Sequence, residues 1–288
     1  MKIISLLLAA FIFCLSLFGC APAGGTAQIA TTTGFVYTFT AHLCQGTDLT
    51  VTQLVTEDVS CLHDYSLSVR QVRAAEAAEV IVISGGGLED FMADLLNEKT
   101  TIDCSGGISL LESCHDHDHG DHHHEADPHF WLSPEDAKVM AQNICTGLSV
   151  QYPNYTSLFA ENLTSLLIKL DKLQQYGAAQ LSTLKSKELI PFHDGFSYFA
   201  ESFGLTILKA VEEESGSEAS AAELKELIGL VESHQIPALF TETNGSASAA
   251  QIISRETGIP IYTLNMAMTG DYFTAMYHNI DMIKEALG

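Results

Sequence analysis

Residues 58–96 read DVSCLHDYSLSVRQVRAAEAAEVIVISGGGLEDFMADLL, and their reading decides the fold. Residues 58–66 form a loop, and a helix runs from about Ser68 to Ala78. Val80–Ser84 is a short apolar run bounded by turn residues, which reads as a buried strand. Gly85-Gly86-Gly87 then turns the chain into a helix from Leu88. Strand alternating with helix argues an α/β fold with parallel pairing. The three glycines follow a strand and precede a helix, a position where phosphate-binding loops occur. No Gly-Lys-Ser/Thr follows, however, and the spacing is not the dinucleotide fingerprint, so a tight turn is the reading.

Upstream, GFVYTFTA at 34–41 alternates β-forming residues and reads as a first strand, and LTVTQLVT at 49–56 as the next. His42 between them reads as a surface or capping residue. Downstream, Thr101–Leu111 is short and contains glycine. Pro134–Val150 reads as a helix, with Ser133 as its cap and Pro134 at its first position. From Tyr155 the pattern changes: Phe159, Leu163, Leu166, Leu170 and Leu173 recur at helical spacing, and Leu181 and Leu184 continue the series. That is one long amphipathic helix of about thirty residues, beyond the usual globular length. With α/β units on both sides, it reads as a spine joining two lobes.

The second half repeats the alternation. Strands are expected at Glu188–Phe192, Leu205–Val211, Ala238–Thr241 and Pro260–Leu264. Helices are expected at Gly195–Phe203, Ala221–His234, Ala247–Thr257 and Asp271–Leu287. The layout is a lipoprotein signal over 1–19 and a lipidated cysteine with tether over 20–32. An N-terminal α/β lobe over 33–152 carries a His-rich loop at 114–125. The spine covers 153–186 and a C-terminal α/β lobe 187–288.

The signal reading rests on MKIISLLLAAFIFCLSLFGC, which has one lysine, an apolar run and small residues at its end. Leu17-Phe18-Gly19-Cys20 resembles a bacterial lipobox, with Phe18 bulkier than usual, so Cys20 is the expected lipidation site. Export also fits the cysteines. Beyond Cys14 and Cys20 there remain Cys44, Cys61, Cys104, Cys114 and Cys145. Cys44 and Cys61 flank one strand-and-turn unit and are expected to form a disulfide. Cys114 has three options: pairing with Cys104, binding metal or remaining free. A net charge of −23 with only 13 Lys+Arg argues against nucleic acid and against an anionic membrane surface, and favours cations.

The cation signal is concentrated at Ser113–Pro134, SCHDHDHGDHHHEADPHFWLSP. His115, His117, His119, His122, His123 and His124 are interleaved with Asp116, Asp118, Asp121 and Glu125, and no apolar residue lies between Cys114 and Ala126. Such a run cannot build a core, but it offers a dense set of imidazole and carboxylate donors. Three other histidines sit just past predicted elements: His63 in CLHDYSL, His129 in DPHFWLSP and His193 in PFHDGFSYF. In α/β sheets ligands bind at the carboxyl ends of strands, so loops from two facing lobes can bring these three together in a cleft.

HDYSL at 63–67, DPHFWLSP at 127–134 and HDGFSYF at 193–199 resemble the ligand motifs of the metal-receptor family of ABC importers, the ZnuA/TroA-type zinc and manganese solute-binding proteins. GGGLEDF at 85–91, LFTE at 239–242 and ETGIPIYTL at 256–264 add to the likeness, which covers essentially the whole chain after the signal. The resemblance implies two α/β lobes joined by a long rigid helix, with one metal in the inter-lobe cleft. Carried onto this chain it makes His63, His129 and His193 the ligands. A histidine at 193 is similar to the zinc-type members, and nitrogen donors suit Zn(II) better than Mn(II). The family commonly shows an aspartate near 264–266, where this chain has Asn265. The fourth position is therefore open to the Asn265 oxygen, water, a loop histidine or Glu242. Glu242 is read rather as orienting a ligand imidazole through its other ring nitrogen.

The function implied is that of an extracytoplasmic solute-binding lipoprotein that captures Zn(II) as cargo and delivers it to the membrane permease of an ABC importer. It is expected as a monomer, anchored through Cys20 on the outer face of the cytoplasmic membrane or in the periplasm. Alternatives are a surface zinc-binding adhesin, a zinc buffer, or a Mn(II)-type receptor. Three histidines and an open position also describe a catalytic zinc. There is no HExxH helix and no general base besides Glu242, so the chain is read as a non-enzyme.

Overall fold

The structure is a computed structural model, and it describes residues 27–57, 59, 62, 65–112, 126–211, 219–243, 245 and 247–288. In chain order the elements are β1 (Ile29–Thr31), α1 (Gly34–Leu43), β2 (Val51–Gln53), α2 (Val69–Ala77), β3 (Val80–Ile83), α3 (Ala93–Leu96), β4 (Thr100–Asp103), α4 (Pro134–Gln151) and α5 (Thr156–Leu181). They continue with β5 (Glu188–Leu189), α6 (Ser197–Phe203), β6 (Thr206–Ile207), α7 (Ala221–His234), β7 (Leu239–Glu242), α8 (Ser248–Thr257), β8 (Ile261–Leu264) and α9 (Tyr272–Leu287).

The N-terminal sheet is parallel throughout, in the order β2-β1-β3-β4, with Ile29 opposite both Val51 and Val80 and Val80 opposite Thr100. In the C-terminal lobe β5 pairs with β6 and β7 with β8, again in parallel. A backbone bond from Phe240 N–H to the Ile190 carbonyl, 3.3 Å, ties the two pairs together. The central strand β3, buried at every position, is wholly apolar, VIVI at Val80–Ile83.

One expectation fails at the start of the first lobe. Residues 34–41 do not form a strand. They lie in α1, while the first strand is Ile29–Thr31, inside the stretch read as tether. The alternation of β-forming residues is outweighed by a second pattern, since Phe35, Val36, Phe39 and Leu43 fall on one helical face and all are fully buried. Gly34 permits this helix to start where it does. A Cβ there would sit 2.8 Å from the Thr269 Cα, and its N–H donates to the Met268 carbonyl at 2.7 Å. The helix expected from Leu88 is likewise reduced to a 3-10 turn at Asp90–Met92 followed by α3.

The long helix α5 has 26 residues. It packs on α1 and α4 of the first lobe and on α9 of the second. Phe159, Leu166, Leu170, Leu173 and Leu181 form its buried stripe. Gly177 lets α6 approach, because a Cβ there would lie 2.3 Å from the Phe203 ring. One hydrophobic core runs through this helix and into both lobes. A smaller one, around Leu227, Leu239 and Ile253, belongs to the C-terminal lobe alone. Capping matches the sequence: Ser133 accepts from Asp136 N–H ahead of α4, and Ser68 and Ser220 form capping boxes with Gln71 and Glu223. Among the described residues no helix is long and apolar enough to cross a membrane.

Candidate metal centre

His129 is placed by the segment Asp127-Pro128-His129, which precedes a single 3-10 turn, Phe130–Leu132, and then α4. Asp127 Oδ1 accepts the His129 backbone N–H at 2.9 Å and meets His129 Nδ1 at 2.7 Å. Both side chains are buried. A carboxylate within two residues thus fixes the backbone and the ring together. The Asp127 carbonyl accepts the Tyr198 hydroxyl at 2.7 Å, and that hydroxyl accepts Leu111 N–H at 2.8 Å, so α6 of the second lobe braces the loop.

His193 comes from the other lobe, on the loop after β5. Its Nδ1 engages a carboxylate oxygen of Glu242, the last residue of β7. Both residues are about 4% exposed or less. Among the described residues, His193 Nε2 and Glu242 Oε2 are buried atoms without a hydrogen-bond partner. A buried donor or acceptor left unsatisfied costs about 1–3 kcal/mol, so these atoms need a ligand or another explanation. Gly195 closes the loop behind His193. A Cβ there would stand 2.6 Å from His193 Nε2 and 2.8 Å from the Met266 methyl.

The two imidazoles face each other across the lobes, with ring centroids 5.3 Å apart and planes at 65°. Each has its Nδ1 against a carboxylate. That arrangement fixes the ring orientation and places Nε2 on the far side of the ring from the carboxylate, the usual environment of a metal-ligating histidine. The Trp131 ring lies 5.1 Å from that of His129, and its indole N–H donates to the Met266 carbonyl at 2.7 Å. The centre is therefore buried and flanked by the Trp131 ring and the Met266 thioether.

Of the residues singled out by sequence, the structure brings His129, His193 and Glu242 together. His63 lies outside the described residues, as do Cys20, Cys61, Cys114, His115, His117, His119, His122, His123 and His124. Among the described residues no group of three His, Cys, Asp or Glu side chains is close enough to hold a metal by itself. The Asn265 side chain is engaged within its own loop. Asn265 Oδ1 accepts Ala267 N–H at 2.7 Å, while Asn279 bonds the Asn265 backbone on both sides. The local demand is Ala267, a non-glycine residue at φ 58°, whose turn this contact supports. Cys44 carries a free, buried thiol that burial pushes up to about 12, and Cys61, its expected disulfide partner, lies outside the described residues. Cys104 is free and buried as well. The sequence reading assigned no role to Asp127 or Gly195. The signals were present, in an Asp-Pro-His order that suits a local side-chain-to-backbone turn and in a glycine two residues past a candidate ligand.

Two parallel α/β lobes, a long helix along both and a polar centre between them define a two-lobed solute-binding protein. The chain belongs to the family of the zinc-uptake complex component A, periplasmic, whose profile matches residues 29–286. It is 34% identical over 308 aligned residues to the zinc-binding lipoprotein AdcA of Streptococcus pneumoniae R6, covering 99% of this chain and 61% of that protein. The chain thus spans about three-fifths of the length of the curated relatives it matches. A crystal structure of ZnuA superposes with a TM-score of 0.82 at 28% identity, over 92% of this chain and all of that one. The Zn(II)-bound ZnuA-like domain of Streptococcus pneumoniae AdcA gives 0.76 at 29% identity, over 91% of this chain and 99% of that domain.

Proposed function

We propose that this chain is an extracytoplasmic receptor that binds one Zn(II) between its lobes and hands it to the permease of an ABC-type importer. The observation that carries the reading is the facing pair His129 and His193, each buried and each oriented by a carboxylate. His63, from the loop before α2, is the third ligand in this account. The similarity to zinc-binding AdcA and to ZnuA supports zinc as the cargo. Three neutral imidazoles suit Zn(II), whereas Mn(II) prefers oxygen donors. The His-rich stretch 115–124 serves as an accessory collector, and Cys20 as the lipid anchor of a monomeric receptor. The lobes correspond to 29–152, extended upstream of the expected 33 by β1, and 187–288, with the connecting segment 153–186. Capture and release, not catalysis, is the task.

The test is a competition titration of Zn(II) against a chromophoric chelator, with and without residues 115–124. One tight site that survives the deletion is expected. Loss of all tight binding with the loop would make the protein a loop-based zinc buffer and refute the cleft.

A further inference from the structure

The fourth coordination position is where the chain departs from a carboxylate-completed site. The Asn265 side-chain oxygen accepts Ala267 N–H at 2.7 Å and belongs to a neutral amide, a weaker ligand than a carboxylate. The next residue, Met266, is 3% exposed, and its carbonyl is pinned by the Trp131 indole at 2.7 Å. Its side chain therefore leaves a fixed backbone. The thioether methyl and His193 Nε2 border the same small space above Gly195, since an added Cβ there would stand 2.8 Å from one and 2.6 Å from the other. His193 Nε2 is buried and without a hydrogen-bond partner among the described residues. An apolar, soft group thus lies beside His193 Nε2, the nitrogen left free to face a cation.

We propose that Met266, held against Gly195, is a specificity-determining residue. It caps the coordination position beside His193 Nε2 with an apolar wall, and so restricts the cleft to cations that accept a low-coordinate, nitrogen-rich shell. This rests on the reading of His129 and His193 as ligands. The physical reason is coordination preference. Zn(II) is stable with four ligands that include several nitrogens, whereas Mn(II) favours six positions rich in carboxylate, carbonyl and water. A methyl group that fills one approach denies both a carboxylate and the waters that would follow it. Gly195 is the complementary half of the device, because a side chain there would displace the methionine or the imidazole.

The experiment compares the purified protein with Met266→Asp, Met266→Leu and His193→Ala, by competition titration of Zn(II) and Mn(II) and by the visible spectrum of bound Co(II). Weak, pink-type absorption reports six-coordinate Co(II), and intense blue absorption reports four-coordinate. The native protein should give the intense spectrum. Met266→Asp should narrow the Zn(II)/Mn(II) affinity ratio by about tenfold or more and move Co(II) toward six-coordinate absorption. Met266→Leu keeps the apolar wall and should leave ratio and spectrum unchanged. An unchanged ratio and spectrum in a folded Met266→Asp would overturn the proposal, as would loss of Zn(II) binding in Met266→Leu, which would make the sulfur a ligand. His193→Ala separates the two levels. If it leaves tight binding intact, the site itself is wrong; if it abolishes binding while Met266→Asp changes nothing, only the role of Met266 falls.

Discussion

Trp131 and Met266, 135 residues apart, are joined by a 2.7 Å hydrogen bond from the indole N–H to the backbone carbonyl. The bond links the residue two past His129 to the loop that closes the other side of the centre. Tyr272 completes the brace by donating its hydroxyl to the Trp131 carbonyl at 2.8 Å, and Phe35 stacks on the indole at 4.3 Å. The lobes are therefore held in register at the metal centre itself, as well as along α5.

Trp131→Phe should keep most of the packing and leave the Met266 carbonyl unsatisfied, at a cost of about 1–3 kcal/mol. Trp131→Ala should cost about 3–5 kcal/mol, since the ring is fully buried. Urea unfolding midpoints measure both. Trp131 is the only tryptophan of the chain, so its fluorescence should also report metal binding at the neighbouring His129.

Asp127→Asn and Glu242→Gln should each weaken Zn(II) binding by about 10–100-fold, because each removes the carboxylate that orients an imidazole through Nδ1. A chelator competition assay gives the ratio. Equal affinity in both variants would show that the rings are held by packing alone.

Glu89 gives a pH dependence of unusual sign. It is buried just before the 3-10 turn at Asp90–Met92, with its carboxylate against the end of β3, and burial pushes its carboxyl up to about 7, against hydrogen bonds from Thr32, Ser84 and Gly85 that favour the charged form. Between the ordinary glutamate value and about 7 the folded state binds more proton than the unfolded state. Stability contributed by this group is therefore full below the ordinary value, falls as pH rises through that window and is level above it. Unfolding midpoints of the native protein and Glu89→Gln between pH 4.5 and 8 should diverge in slope within that window. Parallel curves would contradict the assignment.

Gly177→Ala offers a test of the contact between α5 and α6. Alanine gains up to about 1 kcal/mol in helix propensity. Its methyl would meet the Phe203 ring, and overpacking typically costs about 1–3 kcal/mol. Net destabilisation is expected, and a more stable variant would show that Phe203 yields freely.

Much of this architecture could be read from residue spacing. The α7 helix occupies Ala221–His234 as its apolar spacing implied, and α5 carries the Phe159–Leu181 stripe. The reading failed at 34–43, where β-forming residues and a helical apolar face coexist and only the tertiary burial of Phe35, Phe39 and Leu43 decides between them. His129 and His193 were legible because histidines follow predicted elements in polar loops. Asn265 looked like a ligand candidate by position. Its commitment to Ala267 depends on a backbone turn with positive φ, which an alanine does not announce. The place of Met266 near His193 depends on Gly195 and Trp131 from distant parts of the chain, which local sequence does not announce.

The most direct measurement is the Zn(II) stoichiometry and affinity of the native protein beside His193→Ala. One tight Zn(II) per chain, lost in the variant while the His-rich stretch still binds weakly, is the expected result. A tight site of unchanged affinity in a folded His193→Ala would contradict a centre built between the lobes.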